Sequence, residues 1–150
     1  MANGLVFGDD ARVLEWTKIH YRIHPMPFNL SVGIVDVDNN LVGAILFGNF
    51  NGINVELDYY GEKTVTLGIC RAIARIALTE FNAARVSALV SKRKKHLIST
   101  MQKVGFRLEG AQRCFYGRKD CQRNTAIRLV MFREQIEQMA RLQAPAQKVG

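Results

Sequence analysis

Four polar residues, Asn54, Glu56, Asp58 and Tyr60, alternate with Ile53, Val55, Leu57 and Tyr59 in the stretch INVELDYY. In an extended strand that alternation puts the first set on one face and the second on the other, so two carboxylates and a phenol share a surface able to take up or hold a proton. The three cysteines, Cys70, Cys114 and Cys121, are odd in number and lack a CxxC pair. Neither a disulfide framework nor a zinc site is encoded, and the thiols are expected to be reduced. Cys114 and Cys121 are of the type that can carry an acyl group, but neither has a helix start or a histidine beside it in the sequence to activate it. His20 and His24 have the spacing of a helical metal pair, yet Pro25 follows His24 and pushes it out of the helical region. No metal is expected.

Charge is unevenly placed. The net charge is +8, and from Lys92 to Arg133 twelve basic residues face only two acids, Glu109 and Asp120. That asymmetry implies a polyanionic partner, either the phosphates of a cofactor or a nucleic acid, against the plainer reading of a solvated basic face. At 150 residues, 48% hydrophobic and 23% charged, the chain has the balance of one globular domain. No apolar run approaches the about 18 residues of a membrane span, and Asp9-Asp10 stand where a secretion signal would be apolar. The expectation is a cytoplasmic protein that does not enter a membrane.

The elements that must position these residues follow from periodicity and turn signals. After a strand at Leu5 to Phe7, Asp9 or Asp10 caps a helix whose Val13, Leu14, Trp16 and Ile19 recur near helical spacing. Consecutive strands follow from Met26 to Tyr60, turning at Asp38-Asn39-Asn40 and at Asn51-Gly52. Thr64 or Thr66 opens a helix carrying Leu67, Cys70, Ile73, Ala74, Ala77 and Phe81, with Arg71 and Arg75 on another side. Then come a strand at Arg85 to Val90, a helix from Lys94 to Val104 closed by Gly105, and strands at Phe106 to Phe115 and about Asn124 to Phe132. Glu134 to Leu142 reads as one helical segment. The central helix between two strands suggests a parallel crossover and the flanking hairpins antiparallel pairing, so the sheet should be mixed.

The late part of this chain, RVSALVSKRKKHLISTMQKVGFRLEG, resembles the GNAT superfamily of N-acetyltransferases. Lys103-Val104-Gly105-Phe106 followed by Glu109-Gly110 is close to the K-x-G-F-x-x-E-G pattern of the ribosomal-protein alanine acetyltransferase branch, and RLVMFREQ resembles that branch's closing strand. The chain is also similar to divergent acetyltransferase-like proteins of bacteriophages, through Arg71-Ala72-Ile73 and the same Gly-Phe to Glu-Gly block. The resemblance implies an α/β, single-domain GNAT-like fold over residues 1–134, with a mixed, mostly antiparallel sheet of about six to seven strands flanked by helices. A helical or flexible tail occupies 135–150.

The same resemblance implies an acyl donor, acetyl-CoA, and an amine acceptor. Its pantetheine arm would lie in a gap between splayed middle strands, along Ile53 to Tyr59. Its pyrophosphate would sit at the start of the next helix, where Thr66, Leu67 and Gly68 offer backbone donors and Lys63 or Arg71 adds charge. Gly68 could alternatively serve close helix packing. Lys92 and Lys94, within the run Lys92 to Lys95, would grip the cofactor's 3′-phosphate or, equally, a nucleic-acid backbone. Glu56 is the preferred base, and a backbone N–H near Leu57 or Asp58 would hold the thioester oxygen. The chain departs from the family pattern in its loop and in its second helix. The usual Gly-rich pyrophosphate loop is not matched, Lys94 stands where members often have a cofactor-binding Asn, Leu97 takes the small-residue position, and Met101 stands where many have the tyrosine acid, with Tyr116 as a substitute and Tyr59 and Tyr60 behind it. These departures support a second reading, a catalytically silent GNAT-fold protein that contacts nucleic acid or other virion proteins. The resemblance also implies a homodimer paired through the final strands, and selection of the acceptor by the loops around Arg22 to Leu30 together with the final hairpin.

Overall fold

The computed structural model describes residues 4–21, 27–61 and 66–141, and the chain divides into two compact units, Met1–Thr64 and Val65–Gly150. In the first unit the Asp9 carbonyl accepts the Val13 amide at 3.1 Å, and helix α1 runs from Asp10 to Tyr21. Its packed stripe differs from the apolar spacing. Val13 and Thr17 are fully buried, whereas Ile19 is 63% exposed. Thr17 can take that place because its hydroxyl donates to the Val13 carbonyl at 2.8 Å, leaving no unpaired polar atom.

Four strands form an antiparallel ladder in chain order: β1 (Gly4–Phe7), β2 (Phe28–Val35), β3 (Leu41–Gly48) and β4 (Asn54–Gly61). Both expected turns are present. Asp36 Oδ1 accepts the amides of Asp38 and Asn40 while Asn39 adopts φ 63°, and Asn51 Oδ1 accepts the amides of Ile53 and Asn54 beside Gly52 at φ 94°. Helix α1 lies close on the strands at Gly33, where a Cβ would come within 2.7 Å of Leu41 Cδ2 and 3.2 Å of Val13 Cγ2. Val13, Ala44 and Leu46 make the buried centre of that contact, with Trp16, Phe28 and Tyr60 packed around it.

The second unit begins with α2 (Leu67–Thr79), followed by β5 (Arg85–Ser91), α3 (Lys95–Lys103), β6 (Arg107–Gln112), a 3-10 turn (Gln122–Asn124), β7 (Ala126–Phe132) and α4 (Arg133–Arg141). Strand β7 lies between β5 and β6 and is antiparallel to both. Ile69, Cys70, Ala74, Ile76 and Ala77 form the buried stripe of α2, and α4, with Ile136 and Met139 buried, packs against α2. Arg75 Nε donates to the Ala140 carbonyl at 3.1 Å. The sequence-based strand from Phe106 to Phe115 is shorter in the structure: it ends at Gln112 because residues 113–120 fold into a hydrogen-bonded loop instead. No helix among the described residues is long and apolar enough to cross a membrane.

Candidate functional site

In the first unit the register of β3 with β4 pairs Ala44 with Tyr60, Leu46 with Asp58 and Gly48 with Glu56. The carboxylate face of β4 is therefore the face that α1 covers, and Asp58 stands next to the apolar cluster rather than in open solvent. Burial raises the Asp58 carboxyl above its ordinary value, the Tyr60 hydroxyl donating to Oδ2 at 3.3 Å opposes that rise, and the nearby Glu56 charge adds to it. An aromatic chain continues from this point: Tyr60 to Tyr21 at 5.2 Å between ring centroids, Tyr21 to Trp16 at 5.8 Å, and Trp16 stacked on His20 at 4.8 Å.

Glu56, the expected base, has one carboxylate oxygen held by Asn49 Nδ2 at 2.7 Å. Leu57 faces the other way and is buried, opposite Phe47. Asp58 is thus a desolvated carboxyl that holds its proton more tightly than an ordinary one, an environment of the kind that proton acceptors have. The alternation in the sequence placed Asp58 on the right face, but only the partner strand and α1 create the desolvation.

In the second unit Thr66 caps α2. Its Oγ1 accepts the Ile69 amide at 3.2 Å and its carbonyl accepts the Cys70 amide at 3.0 Å. Of the first-turn donors this leaves Leu67 and Gly68, both exposed, with no acceptor among the described residues. Among the described residues the nearest atom to a Cβ on Gly68 is Thr66 Oγ1, at 3.8 Å. One turn along, Arg71 has its Nε buried and without a hydrogen-bond partner among the described residues. The structure thus brings Thr66, Leu67, Gly68 and Arg71 together at one helix end that has no acid in its first turn. Lys63 lies outside the described residues, as do residues 22–26 of the loop expected to select an acceptor.

Lys92 and Lys94 are exposed in the turn that leads into α3, where Lys94 occupies the cap position without a side-chain capping bond. The Lys92 amide donates to the Thr125 carbonyl at 2.8 Å. Tyr116 lies in the loop between β6 and β7, 48% exposed, and its amide donates to the neighbouring Asn124 carbonyl at 3.1 Å. Those two bonds place Lys92 and Tyr116 at adjoining points of one surface. Cys70 lines a small apolar cleft with Ile73, Ala74, Val86, Phe106, Met131 and Ile136, where burial pushes its thiol up to about 11 and removes it as a nucleophile near neutral pH. Among the described residues no group of three or more His, Cys, Asp or Glu side chains could hold a metal ion.

No protein-family model and no curated protein sequence matches the chain. Its structure is similar to a chimera of the spermidine N-acetyltransferase SpeG from Vibrio cholerae and hSSAT, with TM-score 0.69 and 12% identity over 92% of this chain and 99% of that one. It is also similar to a candidate phosphinothricin N-acetyltransferase, TM-score 0.67 and 16% identity over 87% of this chain and 98% of that one. A GNAT-family acetyltransferase from Bacillus anthracis matches at TM-score 0.56 and 18% identity, over 69% of this chain and 66% of that one. At these identities the likeness shows the fold, and the fold is the α/β GNAT fold expected from the Gly105-Phe106 to Glu109-Gly110 block.

Proposed function

We propose that this chain is an N-acyltransferase that moves an acetyl group from acetyl-CoA to an amine acceptor. The observation that carries the reading is the start of α2, where, among the described residues, Gly68 has no close neighbour, two amides have no acceptor, and a guanidinium Nε is buried with no hydrogen-bond partner. Such a set of donors, aided by the helix dipole, suits a pyrophosphate. Lys63, Lys92 and Lys94 would add charge for the remaining phosphate. The GNAT fold supports the reading, since its neighbours are named as N-acetyltransferases.

In this reading Asp58 takes the proton from the acceptor's ammonium, with Glu56 beside it, and the freed amine attacks the thioester carbonyl carbon. The backbone N–H near Leu57 or Asp58 holds the carbonyl oxygen while its charge grows. The carbon–sulfur bond then breaks, the Tyr116 phenol gives a proton to the departing thiolate, and the second proton shed by the nitrogen as the amide forms passes through water to restore the phenol. Calorimetric titration with acetyl-CoA tests the donor site, and release of free thiol in the presence of a panel of primary amines tests turnover. Absence of any heat at millimolar acetyl-CoA would sink the proposal.

A second reading keeps the fold without catalysis, as a binding protein of a virion or of nucleic acid, and Met101 in place of the usual tyrosine favours it. Acetyl-CoA binding with no thiol release from any amine would select that alternative.

A further inference from the structure

Residues 113–125, which join β6 to β7, are held by a dense set of bonds. The Phe115 and Tyr116 amides both donate to the Asn124 carbonyl, at 2.7 and 3.1 Å. Asn124 Nδ2 donates to the Lys119 carbonyl at 2.9 Å, and Thr125 Oγ1 to the Cys121 carbonyl at 2.9 Å. Arg113 spans both carboxylate oxygens of Asp120. Cys114 accepts a left-handed φ of 54°, and a Cβ on Gly117 would come within 2.7 Å of Asn124 Oδ1. A loop fixed this firmly has the means to tuck its rings away. Instead Phe115 and Tyr116 remain 47% and 48% exposed, edge to face with centroids 5.0 Å apart.

Positive charge surrounds the two rings. Arg118, Lys119 and Arg123 are exposed on the same segment. Ser91 Oγ donates to the Arg123 carbonyl and the Lys92 amide to the Thr125 carbonyl, each at 2.8 Å, which brings the exposed run Lys92 to Lys95 alongside. The segment's single acid, Asp120, is engaged by Arg113, and Glu109 on β6 is engaged by Arg85. Across the second unit seventeen Lys and Arg residues stand against five acids, while the first unit holds four against eight.

We infer that this surface binds single-stranded nucleic acid, with Phe115 and Tyr116 stacking on bases and Arg118, Lys119, Arg123 and the Lys92 to Lys95 turn meeting phosphates. A duplex hides the faces of its bases from two presented rings. The inference goes beyond the acyl-transfer reading and does not need it.

Fluorescence anisotropy with labelled oligothymidylate and oligouridylate of about 12 nucleotides, a length within the range that such surfaces cover, tests it in the absence of acetyl-CoA. Phe115→Ala is expected to weaken binding about tenfold, the size of one lost stacking contact, without changing the salt dependence. Arg118→Ala and Lys119→Ala should each flatten the slope of log affinity against log salt by about 0.7. Phe115→Trp should restore binding. If Phe115→Ala lowers the melting temperature, Phe115→Leu, which keeps the bulk without the aromatic face, makes the same comparison. The tighter of the two oligonucleotides identifies the strand chemistry. No binding, equal binding of a duplex of the same length, or full affinity in both Phe115→Ala and Phe115→Leu would overturn the inference.

Discussion

Tyr60 donates its hydroxyl to Asp58 across 3.3 Å, two residues along the same face of β4, and the Tyr60 ring is itself braced by Tyr21. The bond favours the charged carboxylate, yet burial outweighs it and the Asp58 proton is held more tightly than on an ordinary carboxylate. In the proposed role of base, a carboxyl so placed stays protonated further up the pH scale than an ordinary one.

Asp58→Asn is therefore expected to lower kcat by about a hundredfold or more, the usual contribution of a positioned base, and Glu56→Gln by less. In the unaltered protein the acid limb of the kcat profile should lie above the usual carboxylate range. Stability has a matching sign. Because the folded state holds this proton more tightly than the unfolded chain, the carboxyl favours the fold below the usual carboxylate range, and that advantage is lost as pH rises through the raised value. Thermal melts should show Asp58→Asn more stable than the unaltered protein at neutral pH, with the gap closing in acid. An acid limb no higher than that of a free carboxylate would count against Asp58 as the base.

Gly68 separates binding from folding. A glycine inside a helix costs about 0.5–1 kcal/mol relative to alanine, and the space around Gly68 would accept a Cβ. Gly68→Ala should thus raise stability by roughly that amount while weakening acetyl-CoA binding, because the methyl group stands where the phosphate must approach the backbone. Arg71→Ala should weaken binding with little loss of stability. Thr66→Ala should instead cost about 1 kcal/mol of stability through the lost cap. Paired melting and calorimetry on the three variants would show whether affinity follows Gly68 and Arg71 independently of stability, and a common loss of both would contradict the assignment.

The sequence marked much of this in advance, and the reasons are local. Asn51-Gly52, the Asp36 to Asn40 turn, the Thr66 cap and Gly105 each write their backbone geometry into a few consecutive residues. Ile19 was misleading because spacing alone cannot say whether Thr17, with its hydroxyl satisfied inside the helix, will take the buried place. The raised Asp58 carboxyl was hidden for a different reason: its desolvation comes from Leu46 across the ladder and the apolar cluster under α1, which lie far from it in the sequence. The loop after Gln112 was read as strand because its stabilising bonds run from Phe115 and Tyr116 to Asn124, a partner that no short window contains.

Tyr116→Phe tests the proton donor. A phenol, with an ordinary pKa near 10, is a weaker acid than a departing thiol near 8.5, so the transfer runs uphill by about 1.5 units, a modest cost that positioning can offset, and loss of the phenol should lower kcat by about a hundredfold while leaving acetyl-CoA affinity unchanged. Stopped-flow measurement of thiol release would check this. Unchanged kcat would transfer the role to water.

The residues that carry the family resemblance do structural work. Gly105 follows α3 with φ +117°, a conformation that side chains rarely adopt, and a Cβ there would meet Gln135 and Met131 only at ordinary contact distances. Strain rather than collision should then make Gly105→Ala cost about 1 kcal/mol or more. Phe106 is buried, and Glu109 makes two hydrogen bonds with Arg85, 3.1 and 2.7 Å, that hold its carboxyl below the usual range. Because that pair is partly exposed, Glu109→Gln should cost only about 0.5–1 kcal/mol, and the loss should shrink in high salt. The contribution is present above the usual carboxylate range and disappears as pH falls through the lowered value. Neither substitution should alter acetyl-CoA affinity in a folded sample. A specific loss of binding in Glu109→Gln, with melting unchanged, would move this glutamate from scaffold to site.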